Sequence, residues 1–178
     1  MEEILFTSEE CEWLKSFYIT ERAIDGAKPT TLLTDSGDEI ILTLRQGRKG
    51  NRGFYYQSQD PVLINFLLDR LHFLGIRNIK QVKYIRYEKG DVLAPHVDFG
   101  RYGVEANYKT LVVQLSDEND YVGGDFCLRG VPQSRKQGSY NFFLRTVEHE
   151  VTEVTDGVRF SMTLFLTEDD IDIPKTLI

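Results

Sequence analysis

Cysteine is scarce in this chain of 178 residues: Cys11 and Cys127 are the only two. Two thiols are too few for a disulfide scaffold, so the fold must rest on packing, and both are expected reduced in a cytoplasmic protein. Long apolar runs are missing as well. Leu111-Val112-Val113 is soon interrupted by Gln114, far short of a membrane span. The first residues, Met1-Glu2-Glu3-Ile4, lack the basic start and apolar stretch of a secretory signal, so none is expected. Positive charge is in deficit, with 21 Lys and Arg against 28 Asp and Glu and a net charge of −7. That balance argues against generic binding to a nucleic-acid backbone, although it leaves room for a local basic patch. No repeat, low-complexity tract or long linker divides the chain. Histidine is the most informative shortage, because there are three only: His72, His96 and His149.

What is present is ordinary in bulk, 41% hydrophobic and 28% charged, and suits one domain over residues 1–178 with a sizeable core. Thr7-Ser8-Glu9-Glu10 reads as a helix start, followed by Trp13, Leu14, Phe17 and Tyr18 at helical spacing. Thr30–Leu33 and Glu39–Leu44 read as short strands around Asp35-Ser36-Gly37-Asp38. Asp60-Pro61 opens a second helix with the stripe Leu63, Phe66, Leu67, Leu71 and Leu74, which Gly75 can end. Beyond it the texture turns to short strands near 79–87, 93–99, 108–116, 123–129, 139–144, 148–155 and 158–166. The class is therefore mainly β with flanking helices (α+β), a sandwich, jelly roll or barrel. Residues 1–78 serve as support and residues 79–167 as the β core.

Two strands have contrasting faces. In 108–116, alternation separates Lys109, Leu111, Val113 and Leu115 from Tyr108, Thr110, Val112, Gln114 and Ser116; in 159–165 it separates Phe160, Met162 and Leu164 from Arg159, Ser161, Thr163 and Phe165. The apolar sets suit packing under helices. The mixed sets would face solvent on an ordinary sheet, or line a polar pocket inside a jelly roll.

His96-x-Asp98 lies on a predicted strand, where i and i+2 share a face. With His149 it offers two imidazoles and one carboxylate, which can occupy one face of an octahedral Fe(II) ion and leave the other face open. His72 sits on the second helix and reads as structural. Arg159, ten residues after His149 and beside Ser161, is a fork suited to a carboxylate. Tyr87, before the turn Glu88-Lys89-Gly90-Asp91, could be a second donor.

In order and spacing, Tyr87–Asp91, Pro95-His96-Val97-Asp98, Leu111–Ser116, Gly123-Gly124-Asp125-Phe126, Gly138, His149-Glu150-Val151 and Gly157–Ser161 resemble the Fe(II)/2-oxoglutarate dioxygenases, specifically their prolyl-4-hydroxylase-like branch. The resemblance covers about half of the chain, roughly Val82 to Leu166. It implies a double-stranded β-helix, or jelly roll, packed against N-terminal helices. It also implies iron held by His96, Asp98 and His149, and 2-oxoglutarate held by Arg159 with Tyr87, Thr110, Ser161 and Gln114 near it. O₂ would be the co-reactant and ascorbate the reductant. The expected products are succinate, CO₂ and a hydroxylated substrate, here a polypeptide containing proline, modified at C4. Gln114 departs from the pattern, since hypoxia-inducible factor prolyl hydroxylases carry Tyr near that position. Residues 101–107 match no motif of the family.

Arg45-Gln46-Gly47-Arg48-Lys49-Gly50-Asn51-Arg52-Gly53 followed by Phe54-Tyr55-Tyr56 reads as a solvated loop or as a lid over a polypeptide, with Arg48, Lys49, Arg52 and Tyr55 as candidate substrate contacts. Arg86 is a further candidate, although alternation sets it opposite Tyr87. A basic, aromatic loop could also meet a methylated nucleic-acid base, against which the acidic charge counts. A small-molecule oxygenase, a cupin-like protein with another metal and a non-catalytic jelly-roll binding module are the other readings.

Overall fold

The computed structural model describes residues 3–19, 22–23, 31–33, 39–41, 43–44, 51–52, 54–98 and 107–172. In chain order its elements begin with α1 (Ser8–Ile19), β1 (Arg22–Ala23), β2 (Thr31–Leu33), β3 (Glu39–Ile41), β4 (Thr43–Leu44), β5 (Asn51–Arg52), β6 (Phe54–Ser58) and α2 (Pro61–Leu71). They continue with β7 (Val82–Tyr87), β8 (Val92–His96), β9 (Asn107–Gln114), β10 (Tyr121–Gly123), β11 (Phe126–Leu128), β12 (Val131–Pro132), β13 (Tyr140–Leu144), β14 (His149–Val151), β15 (Val154–Gly157) and β16 (Arg159–Thr167).

The strands assemble into a six-stranded sheet in the order β13-β9-β16-β7-β6-β4 and a five-stranded sheet in the order β12-β11-β14-β8-β5. All described pairings are antiparallel. This is the jelly roll expected, with helices against its larger sheet. Thr7 caps α1 in a reciprocal box: the Glu10 amide donates to Thr7 Oγ1 at 3.1 Å and the Thr7 amide donates to Glu10 Oε2 at 2.9 Å. Asp60 caps α2 by accepting from the Val62 amide at 2.8 Å, and Gly75 takes φ 78° where the 3₁₀ turn His72–Leu74 ends.

The helix-side core joins Leu14, Leu63, Leu67 and Leu71 to Leu111, Val113, Leu115, Met162, Leu164 and Leu166, all buried. Each such aliphatic side chain contributes roughly 1.5–3 kcal/mol on burial. A second cluster lies between the two sheets and includes Ile85, Tyr87, Val112 and Phe143 from the larger and Leu93, Phe126 and Val151 from the smaller.

Four readings need correction. Residues 93–99 are not one strand, because β8 ends at His96 and Asp98 lies in a bend beyond it. Residues 123–129 are not one strand, because Gly123 and Gly124 both take left-handed φ, 70° and 64°, and turn the chain between β10 and β11. Residues 148–155 divide into β14 and β15, which pair in different sheets. There the Asp125 amide donates to Thr152 Oγ1 at 2.8 Å and the Thr152 amide to Asp125 O at 3.0 Å, which takes Thr152 out of both ladders. Nor is the whole stretch 45–56 a loop. Asn51–Arg52 pairs with Val92–Leu93, and Phe54–Ser58 is a strand of the larger sheet. Residues 45–50 and 53, with Arg48 and Lys49 among them, lie outside the described residues.

Candidate metal and cosubstrate site

β8 and β14 pair with His96 directly opposite His149, which brings the two imidazoles together on one face of the smaller sheet. Their ring centroids are 4.3 Å apart. Each Nδ1 sits against the carbonyl two residues back: His96 on Ala94 O at 2.8 Å, His149 on Val147 O at 3.0 Å. A carbonyl can only accept, so Nδ1 carries a hydrogen and Nε2, turned toward Asp98, is the nitrogen left for a metal ion to take. Both Nε2 atoms face Asp98 Oδ1, at 3.7 Å from His96 and 3.4 Å from His149. One ligand atom from each of the three residues lies within 4.8 Å of the others. Adjacent ligands on a metal with bonds near 2.1 Å sit roughly 3 Å apart, so the set can close on a divalent ion with small movements.

Asp98 is held independently of its metal-facing oxygen. Its amide donates to Arg145 O at 3.1 Å, and its Oδ2 accepts from Thr110 Oγ1 at 2.6 Å. Burial alone would raise its pKa. The His149 hydrogen bond and charge, with Thr110 and His96 adding, instead keep the carboxyl below its usual range, so it stays ionised as a ligand must. Thr110 thus orients a ligand carboxylate. Phe126 and Phe143 wall His149, with centroids 6.0 and 4.9 Å from its ring.

Arg159 begins β16 with Tyr87 as its partner on β7. Its guanidinium carbon is 5.3 Å from the Tyr87 ring centroid, and both residues are fully buried. Arg159 Nε and Nη1 have no hydrogen-bond partner among the described residues. A buried guanidinium short of acceptors is costly by itself and suited to an anion brought from outside. A carboxylate meets that need. Thr110, Gln114, Ser161 and Thr163 are all buried, so the mixed faces line the interior. Gln114 lies opposite Ser161 and donates from Nε2 to Tyr121 Oη at 2.9 Å and Ser116 O at 3.4 Å. Ser116 Oγ accepts from the Phe160 amide at 2.7 Å and donates to Val158 O at 3.5 Å, bracketing Arg159 on both sides.

Arg86 stands on the other face of β7, opposite Phe160, and pairs with Glu88. Arg52 and Tyr55 lie on strands, but their side chains are outside the described residues. Sequence reasoning placed Ser116 on the mixed face without a role and gave no signal for Tyr121, whose importance is created by tertiary contact.

Residues 82–167 match the profile of the 2OG-Fe(II) oxygenase superfamily. No curated protein matches the sequence. Among solved structures, a 2OG-Fe(II) oxygenase-family oxidoreductase from Burkholderia pseudomallei superposes with a TM-score of 0.63 at 17% identity, covering 94% of this chain and 83% of its own. A Pseudomonas putida prolyl-4-hydroxylase gives 0.58 at 13% identity, covering 94% and 91%. The viral collagen prolyl hydroxylase of Paramecium bursaria Chlorella virus-1, in complex with 2OG, gives 0.57 at 17% identity, covering 92% of each. Identities this low speak for the fold, and the profile match speaks for the family. Residues 82–167 are a 2OG-Fe(II) oxygenase domain, and the chain is prolyl-4-hydroxylase-like in architecture. It is a 2-oxoglutarate-dependent dioxygenase, with Fe(II), 2-oxoglutarate and O₂ as its reaction partners.

Proposed function

We propose that this dioxygenase hydroxylates prolyl residues of a polypeptide at C4. His96, Asp98 and His149 hold the iron through Nε2, Oδ1 and Nε2, while Thr110 and the two backbone carbonyls fix their directions. Arg159, stacked near Tyr87, holds the far carboxylate of 2-oxoglutarate. When bound, the iron and cosubstrate supply oxidative decarboxylation to succinate and CO₂ and deliver one oxygen atom to a C–H bond. Phe126, Phe143 and the inter-sheet cluster keep the pocket dry, which strengthens the Arg159 pairing.

The observation that carries the oxygenase chemistry is the buried, under-partnered guanidinium on the sheet face that also presents Thr110, the partner of Asp98 in the convergent His-Asp-His set. The choice of a peptide rests on neighbours of the same architecture that are prolyl hydroxylases. It is supported by the cation inventory. Arg159 is the only fully buried Lys or Arg among the described residues, so a free amino acid would find no second clamp there for its own carboxylate. No described helix is long and apolar enough to cross a membrane.

Incubation of proline-containing peptides with the protein, Fe(II), 2-oxoglutarate and O₂ should yield a one-oxygen mass gain located on proline. A gain that persists in Pro→Ala peptides would overturn the proline assignment and leave the dioxygenase class intact.

A further inference from the structure

Gln114 stands where a donor to the cosubstrate carboxylate is expected, yet its hydrogens are committed elsewhere. A carboxamide has two N–H donors, and here they serve Tyr121 Oη and Ser116 O. What remains is Oε1, an acceptor, which repels a carboxylate. The partner of that first bond has the complementary property. Tyr121 Oη accepts from Gln114, so its own single hydrogen points away from the Gln114 nitrogen. No acceptor among the described residues takes it. A hydroxyl on a residue only 4% exposed needs such an acceptor.

Tyr121 is also in the right place. It precedes Gly123-Gly124, and a Cβ at Gly124 would come within 3.2 Å of Tyr121 Cδ2 and 3.3 Å of Arg159 Cδ. The phenol ring and the Arg159 stem are therefore neighbours across a glycine that leaves room for both. Gln114 is paired with Ser161, two residues along β16 from Arg159 and on the same face. The ring is held firmly. The Arg135 guanidinium lies 4.2 Å from its centroid and donates to Tyr121 O at 3.0 Å, Gly123 O at 2.7 Å and Asp125 Oδ1 at 2.6 Å.

We propose that Tyr121, oriented by Gln114 and braced by Arg135, donates its phenolic hydrogen to the carboxylate that Arg159 holds. Tyrosine, missing from position 114 of β9, is supplied instead from β10, and Gln114 serves as a positioning residue. Phenol and guanidinium together make a two-donor cradle for the far end of a five-carbon 2-oxo diacid, and the bond from Tyr121 is charge-assisted. This rests on the 2-oxoglutarate reading of the site and is independent of the peptide substrate.

The test is equilibrium binding to the full chain loaded with Ni(II), so that no turnover intervenes. The two probes are 2-oxoglutarate and 2-oxopentanoate, which has the same carbon chain without the far carboxylate. Tyr121→Phe should weaken 2-oxoglutarate about tenfold, the loss expected for one hydrogen bond to a charged group, and leave 2-oxopentanoate within about twofold. Gln114→Ala should lose less 2-oxoglutarate affinity than Tyr121→Phe. Unchanged 2-oxoglutarate binding in Tyr121→Phe, or equal loss of both acids, overturns the assignment, the second outcome indicating a packing role only. A Gln114→Ala loss as large as that of Tyr121→Phe overturns it in favour of Gln114 as donor. Failure of the unaltered protein to bind 2-oxoglutarate at all would remove the cosubstrate reading itself, and this proposal with it.

Discussion

The two faces of β16 are equally dry and opposite in chemistry. Toward the helices it presents Met162, Leu164 and Leu166, each at most 1% exposed; toward the smaller sheet it presents Arg159, Ser161 and Thr163, at most 5% exposed. Exclusion from water therefore does not by itself make a stabilising core. The first face gains free energy from apolar area removed from water. The second carries polar groups whose desolvation is only partly offset within the protein, most visibly at Arg159. Folding draws on one side of a strand, and the other side keeps unsatisfied capacity for a ligand.

Substitutions can break that comparison. The largest effect is expected at the metal set, where His149→Ala or Asp98→Ala should bring succinate production to background while far-UV circular dichroism stays native. Each variant removes one of three ligands. Detectable, saturable turnover in His149→Ala would move the metal elsewhere. Arg159→Met is next. It should cost 2-oxoglutarate binding on the order of 3–5 kcal/mol, the usual loss when one partner of a desolvated charge pair is removed. The cosubstrate-free protein should melt at the same temperature or higher, because an under-partnered buried charge has become apolar. A lower melting temperature would mean that Arg159 is structural and that the two faces differ less than proposed. On the opposite face, Leu164→Ala should cost about 3 kcal/mol in a denaturant titration, within the range for buried leucines. The remaining folded protein should bind 2-oxoglutarate normally, and weakened binding would show that the faces are energetically coupled.

Much of this arrangement could be read from the residues. Period-two alternation separated Leu111, Val113 and Leu115 from Thr110, Val112 and Gln114, whereas His96 and Asp98 converge although β8 ends at His96 and Asp98 lies in the bend beyond it, placed by the bond from its amide to Arg145 O. Thr7 and Asp60 announced their helices through local hydrogen bonds that sequence encodes directly. What stayed hidden depended on distant partners. Thr152 ends β14 through a bond to Asp125, with no glycine or proline to mark the break. Asn51–Arg52 and Phe54–Ser58 follow a glycine-rich basic run whose local chemistry favours a loop, and they are strands because β8 and β7 offer edges to pair with. Tyr121 follows an acidic turn, and nothing near it in sequence announces Gln114, Arg135 or Arg159 as its neighbours.

β16 is the last strand described, yet it lies in the middle of the larger sheet, between β9 and β7. During synthesis, the strands on either side of it emerge first and must wait for it, since neither can pair with the other across the gap. Such long-range closure is slow compared with local pairing. Arg159 arrives on the inserting strand itself, so the chain's metal-binding histidines and aspartate exist before its cosubstrate anchor does. An interrupted chain ending before β16 would hold potential iron ligands in an unfinished sheet with no means of seating 2-oxoglutarate. The order of the strands thus ties the onset of oxygen chemistry to the completion of the fold.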